Sequence, residues 1–438
     1  MQPDIATHRA RRARLLESLG EGVLILATAP EVIRNRDAHY PYRYDSHFYY
    51  LTAFPEPEAV LVLIAGGKSK ARPRQVLFCR EKNVEREVWD GFRHGPKAAK
   101  ATFGFDAAYP IGEIDKRLPK LLENQPRLAY AFGADPAWDA RVMGWINAVR
   151  GKSRIGVTAP ATLSDAHAMV DAMRLIKDTH EIELMQRAAD LSAAAHQSVL
   201  RLCKPGMGEW EIEAELQRIW RAGGCQAAAY TPIVAGGGNA CVLHYVANDQ
   251  PLKDGDLLLI DAAGEYHGYA ADITRTFPVN GRYTAVQKDA YEIVLAAQLA
   301  AIDAARPGNR FDAPHEAALR VLTQGLVDLK VLQGEVDGLL ESEAYKPWYM
   351  HKTGHWLGLD VHDVGDYKLQ GAWRELQPGM ALTVEPGLYF RPADNVPKAL
   401  WNIGIRIEDD VLVTEEGNRV LTAAAPKTVA DIEAAMRP

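Results

Sequence analysis

The chain has 438 residues, 47% hydrophobic and 24% charged, which is the composition of a globular protein with two or three domains. Its net charge of −7 and pI of about 6.0 argue against a nucleic-acid-binding protein. The apolar runs are too short for a membrane span, and the basic N-terminus lacks the apolar run of a signal peptide. The four cysteines are scattered without a C-x-x-C pair, which favours a reduced, cytoplasmic protein.

The first 175 residues or so predict an α/β domain. A helix is expected near residues 8–19, and the strand-sized apolar runs GVLILATA, EAVLVLIAG and RQVLFCR follow it. The segment PAWDARVMGWINAVR then has the pattern of a helix. A new long helix opens at a capping box formed by Asp178 and Glu181. We therefore place the domain boundary near residue 175, between domains of residues 1–175 and 176–438.

The second domain contains a faint internal repeat. Its first long helix should run to about Leu202 and stop before Pro205, and a second helix follows in GEWEIEAEL. A capping box of Thr284 and Gln287 opens another long helix, which stops before Pro307 and is followed by a helix in DAPHEAAL. Two strands follow each pair: DLLLIDAAG and ADITRTFPV, then MALTVEPGLYF and IGIRIEDDVLVT. This order predicts two similar halves around a shared sheet, although Pro-Gly commonly ends helices and the likeness could arise by chance.

Two aspartates lie at the ends of neighbouring strands in the first half. Asp261 follows the apolar run LLLI, and Asp272 begins the next strand. If residues 265–268 form a four-residue hairpin loop, the two aspartates face each other with Cβ atoms about 5 Å apart. Carboxylates that close repel unless one takes a proton or a cation lies between them. The apolar flanking residues favour a divalent cation over a pair of solvated turn aspartates.

The second half adds glutamates and histidines to this pattern. Glu385 follows an apolar strand in LTVEPGLYF, and the alternation in IGIRIEDD places Arg406 and Glu408 on the face opposite the isoleucines. Residues 351–363, HKTGHWLGLDVHD, hold three histidines, which suit a metal or acid–base site. Each feature alone could be a strand-edge charge or a polar loop. Together, two Asp, two Glu and one His suit manganese or cobalt and, less specifically, zinc, and two ions about 3.5–4 Å apart can hold a bridging hydroxide and polarise a carbonyl.

Other catalytic motifs are absent from the sequence. Lys352 stands where an H-E-x-x-H metallopeptidase needs glutamate, and no serine lies in a G-x-S-x-G context. The glycine run AGGGNAC lacks the third glycine of a dinucleotide-binding turn. The acidic residues and histidines therefore remain the strongest functional signal.

At these residues the chain resembles the pita-bread metallopeptidases and, within them, the aminopeptidase P (Xaa-Pro aminopeptidase) family. The resemblance spans nearly the whole chain and is carried by HYPYRYDSHFYYLTAFPEPEAVLVL, YTPIVAGGGNACVLHY, IDAAGEYHGYAADITRTFPVNG, HWLGLDVHD, TVEPGLYF and IRIEDD. It implies an α+β protein: a C-terminal pita-bread domain with a pseudo-twofold repeat, preceded by a smaller α/β N-terminal domain that serves oligomerisation and access to the substrate site. The chain departs from the family at Lys352, where a small residue is usual.

The resemblance also implies a role for each candidate residue. The implied metal ligands are Asp261, Asp272, His355, Glu385 and Glu408. The residues implied around the substrate are Tyr230, His244, His351 and His362. Arg406 is implied to orient an aspartate ligand, and Glu385, His244 and His362 are implied to take part in catalysis.

We therefore expect a cytoplasmic enzyme with two divalent ions that cleaves the bond between an N-terminal residue and a following proline. Mn²⁺ is the favoured ion, with Co²⁺ or Zn²⁺ as alternatives, and a bridging hydroxide is the expected nucleophile. Glu385 would shuttle its proton, while His244 and His362 would stabilise the tetrahedral intermediate or the leaving nitrogen. The expected partners are peptides with proline second and further copies of the chain, in a tetramer or dimer, with no nucleic acid or membrane. The alternatives are a prolidase acting on Xaa-Pro dipeptides and a non-enzymatic binding protein on the same fold.

Overall fold

The structure, a computed structural model, describes residues 4–66 and 73–437. The described residues form two compact units, one ending at Arg174 and the other beginning at Leu175. In these ranges no helix combines the length and the apolar character that crossing a membrane requires.

The N-terminal unit combines helices with a mixed sheet. Its helices are α1 (Ile5–Leu19), α2 (Ser46–Thr52), α3 (Val84–Asp90), α4 (Gly95–Phe103), α5 (Ile114–Leu122), α6 (Pro136–Arg150) and α7 (Ala166–Arg174). Its strands are β1 (Glu21–Ala27), β2 (Ile33–Asn35), β3 (Ala38–His39), β4 (Val60–Gly66), β5 (Arg74–Cys79), β6 (Ala107–Pro110), β7 (Arg127–Ala129) and β8 (Thr162–Ser164). Six strands form one sheet in the order β6-β5-β4-β1-β7-β8, in which β1 pairs antiparallel with β4 and parallel with β7.

The strands and helices predicted for this unit are present. The apolar runs predicted as strands form β1, β4 and β5, and their side chains pack against Ile114, Leu118 and Trp145 of α5 and α6. The predicted helix near residues 8–19 begins earlier, at Ile5, because the side chain of Asp4 caps it by accepting a hydrogen bond from the backbone of Ala6.

The C-terminal unit repeats the order of long helices followed by strands. Its helices are α8 (Thr179–Leu202), α9 (Glu209–Gly223), α10 (Ala285–Ala304), α11 (Ala313–Asp328), α12 (Val336–Glu341) and α13 (Val429–Ala435). The strands after α9 are β9 (Ala227–Ala228), β10 (Ile233–Gly236), β11 (Leu257–Asp261), β12 (Gly264–Tyr266), β13 (Tyr269–Ala270) and β14 (Thr274–Pro278). The strands after α12 are β15 (Lys368–Leu369), β16 (Ala372–Trp373), β17 (Ala381–Val384), β18 (Gly387–Phe390), β19 (Ile403–Arg406), β20 (Asp409–Val413) and β21 (Asn418–Val420).

Both predicted capping boxes are confirmed. At the start of α8, the side chain of Asp178 accepts a hydrogen bond from the backbone N–H of Glu181, and the side chain of Glu181 accepts one from the backbone N–H of Asp178. Thr284 and Gln287 make the same reciprocal pair at the start of α10. Because two otherwise unpaired backbone N–H groups are satisfied at each helix start, these local signals fixed where the long helices begin.

The hairpin between Asp261 and Asp272 differs from the prediction. The turn contains two residues, His267 and Gly268, rather than the expected four, and Asp261 pairs with Thr274 instead of Asp272. Both turn residues have positive φ, 50° and 84°, which the tight turn between β12 and β13 requires. The shorter turn moves the register by two residues, so the prediction that the two aspartates lie directly opposite each other was wrong.

The two glutamates of the second half lie where strands end. Glu385 and Pro386 separate β17 from β18, and Ile407 and Glu408 separate β19 from β20. Each of these pairs was predicted to lie inside one continuous strand. The hydrogen-bonded ladders consequently form short sheets, ordered β10-β11-β14, β17-β20-β21 and β18-β19, instead of one shared sheet. Within a strand, successive side chains must alternate between the two faces of the sheet. A side chain just beyond the end of a strand is not bound by that alternation, so it can point into a cleft.

Candidate active site

One cleft of the C-terminal unit brings together all ten residues singled out from the sequence. It has a volume of about 460 Å³. The ten are Tyr230, His244, Asp261, Asp272, His351, His355, His362, Glu385, Arg406 and Glu408. The rest of its lining is Thr231, Ile233, Leu243, Val246, Lys352, Gly354 and Val361. The lining thus combines a dense group of carboxylates and imidazoles with a few apolar side chains.

Three side chains are arranged as a metal site. Ligand atoms of Asp272, His355 and Glu408 all lie within 4.8 Å of one another. His355 Nε2 is 3.5 Å from Asp272 Oδ2 and 3.8 Å from Glu385 Oε1. The other ring nitrogen, Nδ1, lies 2.9 Å from the carbonyl oxygen of Trp356, to which it donates. That bond leaves the Nε2 lone pair facing the carboxylates, which is how metal-binding histidines are usually oriented.

Asp261 and Asp272 converge on the hydroxyl of Tyr230. Its oxygen is 2.6 Å from Asp261 Oδ1 and 2.5 Å from Asp272 Oδ1. A phenol carries one hydrogen, so it can donate to only one of these two carboxylates at a time. The two aspartates are therefore close, as predicted, although the hairpin register that brings them together was not the predicted one.

The carboxylates of the cleft are close enough to raise one another's pKa values. Burial and the charge of Asp261 raise the pKa of Asp272 well above its usual value. Burial and the charge of Asp272 do the same to Glu408. Burial and the charge of Glu408 raise the pKa of Glu385 to about 8. Divalent cations would relieve this repulsion, since they favour the ionised form of every carboxylate around them.

Arg406 is the buried cation of this group. Its Nη2 donates to Asp261 Oδ2 at 2.7 Å, and its Nη1 donates to the hydroxyl of Tyr389 at 3.0 Å. The same hydroxyl is 2.8 Å from Nε2 of His351. A chain of contacts therefore runs from the predicted ligand Asp261 through Arg406 and Tyr389 to a predicted substrate-side histidine.

The three histidines predicted to lie on the substrate side line the same cleft as the carboxylates. His351 Nδ1 is 3.8 Å from Glu385 Oε2, and the rings of His355 and His362 make an edge contact with centroids 4.3 Å apart. Burial and the charge of Arg406 lower the pKa of His351 to about 3. Burial and the charge of His355 lower the pKa of His362. His244 is exposed on the loop that follows a short 3₁₀ helix at Gly237–Cys241.

Two further residues of the site were not found from the sequence. Tyr389 links His351 to Arg406, as described above. The hydroxyl of Thr274 donates to Glu408 Oε2 at 2.6 Å and accepts from Nε of Arg406 at 3.2 Å. A signal for Thr274 existed in its spacing, because it follows Asp272 by two positions and a strand would place both on one face.

Comparison with known proteins agrees with this geometry. The chain matches metallopeptidase family M24 over residues 183–415 and the aminopeptidase P N-terminal domain over residues 8–130. It is 44% identical to a Xaa-Pro aminopeptidase of Escherichia coli K12, over 97% of this chain and 96% of that protein.

Solved structures extend the likeness to three dimensions. An aminopeptidase of Pseudomonas aeruginosa is 50% identical and superposes with a TM-score of 0.97, covering 99% of this chain and 98% of the other. A zinc-substituted aminopeptidase P of E. coli in complex with product is 42% identical with a TM-score of 0.97, covering 100% and 99%. These likenesses confirm the expected α+β class, with a pita-bread C-terminal domain that follows a smaller N-terminal domain along the chain. The chain therefore belongs to metallopeptidase family M24 and, within it, to the aminopeptidase P (Xaa-Pro aminopeptidase) enzymes.

Proposed function

We propose that this protein uses two divalent metal ions to release the first residue from peptides whose second residue is proline. The observation that supports this most strongly is the meeting of five potential ligands and three histidines in one cleft of a family member. All five side-chain types suit metal binding, and none has been replaced by a residue that cannot bind. A binding protein that had lost its catalytic metal would be expected to lack some of them.

The donor set fits two divalent ions. Four ionised carboxylates set against the guanidinium of Arg406 and the ammonium of Lys352 leave two negative charges uncompensated in the cleft, which two divalent cations would more than neutralise. The proposed ligands are Asp261, Asp272, His355, Glu385 and Glu408. Oxygen ligands with a single imidazole favour Mn²⁺, with Co²⁺ or Zn²⁺ as alternatives. When bound, such ions polarise the scissile carbonyl and lower the pKa of the attacking water.

Glu385 is placed to move the proton of the reaction. Its Oε1 faces His355 among the proposed ligands, and its Oε2 faces His351 on the substrate side. A carboxylate between the water and the leaving nitrogen can accept a proton from the first and deliver it to the second. Its exposure to both groups distinguishes it from Glu408, which is held by Thr274 and is 2% exposed.

The histidines would hold and polarise the substrate. His351 and His362 are neutral near pH 7, because their pKa values lie below the usual range, so each can both donate and accept a hydrogen bond. His362 and His244 would donate to the carbonyl oxygen as it gains negative charge, or to the nitrogen that leaves, whereas the ring hydrogen of His351 is already donated to the carbonyl of Lys352. Tyr230 would line the same cleft, and Arg406 would hold the orientation of Asp261.

Accepting proline at the second position sets a chemical condition on the site. The amide before proline carries no hydrogen, so a site that demanded an N–H donor there would reject it. We expect the apolar wall formed by Ile233, Leu243 and Val246 to contact the pyrrolidine ring or the first side chain. The proposed reaction is therefore hydrolysis of a tertiary amide beside a free amino group.

Assembly and location are further parts of the proposal. We infer a homo-oligomer, a tetramer or dimer, in which the N-terminal unit provides contacts and shapes access to the site. The support is an exposed apolar group around α3: Val84 is 74% exposed, Val88 79%, Trp89 83% and Phe92 66%. The cysteines are free thiols, Cys79, Cys203, Cys225 and Cys241, as expected in a reducing cytoplasm. Light scattering would measure the assembly.

The decisive experiment compares peptides that differ beyond the proline. We expect a higher kcat/KM for Ala-Pro-Ala than for the dipeptide Ala-Pro, with alanine as the first product, and little cleavage of Ala-Ala-Ala. A clear preference for Ala-Pro would identify a prolidase on the same fold and metal site. Cleavage of none of them by metal-loaded protein would favour a binding protein.

A further inference from the structure

The loop that carries His244 has little backbone support of its own. In the described part of the chain, residues 243–249 belong to no helix or strand, and no backbone–backbone hydrogen bond joins them to another segment. His244 itself is exposed to solvent. A residue that must meet a substrate atom within a few tenths of an ångström needs a fixed backbone, so the support must come from side chains.

Asn248 holds the end of the loop through bonds to Pro232, Val234 and Glu213, and a buried carboxylate on α9 supports the residues around His244. Glu209 is fully buried, and its two oxygens accept four hydrogen bonds from residues 236–250. Oε1 accepts from the backbone of Gly236 at 2.8 Å and from the side chain of Asn239 at 3.1 Å. Oε2 accepts from the hydroxyl of Tyr245 at 2.8 Å and from the backbone of Gln250 at 3.0 Å.

These four bonds hold the segment before the loop, the residue that follows His244 and the residue after the loop's last position. Gly236 and Asn239 precede His244, Tyr245 follows it directly, and Gln250 ends the segment. The backbone of Glu209 also donates to the carbonyl of Gln250 at 3.0 Å. All four of these groups are donors, and the two oxygens of a carboxylate can accept four hydrogen bonds at once.

We propose that Glu209 is a positioning residue that fixes His244 at the substrate cleft. It touches neither the metal ligands nor the substrate, and it acts through the backbone and side chains of residues 236–250. The proposal rests on the proposed role of His244. Replacing the carboxylate by the amide of glutamine would turn a −NH₂ group toward some of these donors, and the loop would lose its common acceptor.

The test is a double-substitution cycle between Glu209→Gln and His244→Ala. On the native background we expect Glu209→Gln to lower kcat for Ala-Pro-Ala by about 10- to 100-fold, with metal content unchanged and KM changed much less. On the His244→Ala background the same substitution should change kcat by less than about twofold, because there is no imidazole left to misplace. Losses that multiply in the double variant would overturn the proposal.

Two further variants provide a matched control and a milder disruption of the same contacts. Glu211→Gln is the matched control: Glu211 lies in the same first turn of α9 and accepts from the backbone of Gly208 at 2.7 Å. Its replacement should leave kcat within about twofold. Tyr245→Phe removes one of the four donors and should lower kcat less than Glu209→Gln does. It tests the role of Glu209 even if the Glu209→Gln variant folds poorly.

Hydrogen exchange separates this proposal from the proposed function. Amides of residues 236–250 should exchange at least tenfold faster in Glu209→Gln than in the native protein or in Glu211→Gln. Unchanged exchange there would overturn the proposal even if the peptide is cleaved. Failure of the native protein to cleave Ala-Pro-Ala would instead overturn the proposed function, and exchange would still decide whether Glu209 anchors the loop.

Discussion

Nζ of Lys177 lies 2.9 Å from Oδ2 of Asp363, and the side chains of both residues are 1% exposed. Asp363 directly follows His362, and its other oxygen lies 3.3 Å from the backbone nitrogen of Asp360. The backbone of Lys177 donates to the carbonyl of Gly379 at 2.8 Å. A buried ion pair therefore connects the start of the C-terminal unit to the loop that carries one of its active-site histidines.

We expect Lys177→Met to destabilise the protein by about 3–5 kcal/mol, because it leaves the Asp363 carboxylate buried without its cation. The free energy of unfolding can be measured by urea titration of the native protein and the variant. The matched control is Lys346→Met, whose partner Glu343 and own side chain are both more than half exposed. Exposed pairs contribute little, so this control should change stability by less than about 1 kcal/mol. Equal losses in the two variants would contradict the prediction.

Metal removal tests the proposed cofactor. Chelation should abolish cleavage of Ala-Pro-Ala, and adding Mn²⁺ or Co²⁺ should restore it. Asp261→Asn should bind metal more weakly, because it removes one negative charge and one potential bridging oxygen. Asp394→Asn, at an exposed position, serves as the control and should bind metal normally. Full activity of a sample shown by elemental analysis to be metal-free would rule out metal catalysis.

Two neighbouring histidines should respond differently to substitution. His355→Ala should lower metal occupancy, since it deletes the proposed nitrogen ligand. His362→Ala should keep both metals but reduce kcat by about 10²-fold or more, if the imidazole serves the transition state. Metal analysis and kinetics on the same samples would check both statements. If the His362 variant lost metal while the His355 variant kept it, the two assignments would have to be exchanged.

The buried His196 should make stability depend on pH. Its Nε2 lies 2.8 Å from the carbonyl oxygen of Ala262, and its Nδ1 has no hydrogen-bond partner among the residues that the structure describes. Burial lowers its pKa from 6.5 to about 4. As pH falls from 6.5 towards 4, the unfolded chain takes up this proton before the folded chain does. Stability is therefore lost over that window, by about 3 kcal/mol at most.

Comparison with His196→Gln isolates this contribution. Urea titrations of metal-free samples at pH 7.5 and pH 5.0 should show a smaller loss in the variant, by about 2 kcal/mol. The other histidines are common to both proteins, so their protonation cancels in the difference. Parallel losses in the two proteins would show that His196 is not the group responsible.

Much of the site could be read from the sequence because its signals are local. The apolar run before Asp261 marks a strand end, and the capping boxes mark where α8 and α10 begin. The residue types of the proposed ligands limit the chemistry to hard divalent metals. None of this depends on how distant segments pack.

The register of one hairpin could not be read in the same way. Only the fold decided that His267 and Gly268 form a two-residue turn, since a longer loop was equally compatible with the pattern around it. The break of each predicted long strand at Glu385 and Glu408 likewise depends on which neighbour supplies the next hydrogen bond. Strand length and pairing are properties of the sheet, whereas apolar alternation is a property of the segment.

The sequence by itself determined the element types, the kinds of metal ligand and, through resemblance, the family. Only the tertiary structure decided which distant side chains support the site. Asp261 and Arg406 are 145 residues apart in the chain yet 2.7 Å apart in space, and Lys177 and Asp363 are separated by 186 residues. Glu209 shows no local signal beyond its place in a helix's first turn. The physical reason is that a segment's pattern records which face it buries, whereas a contact between segments depends on how their buried faces pack together.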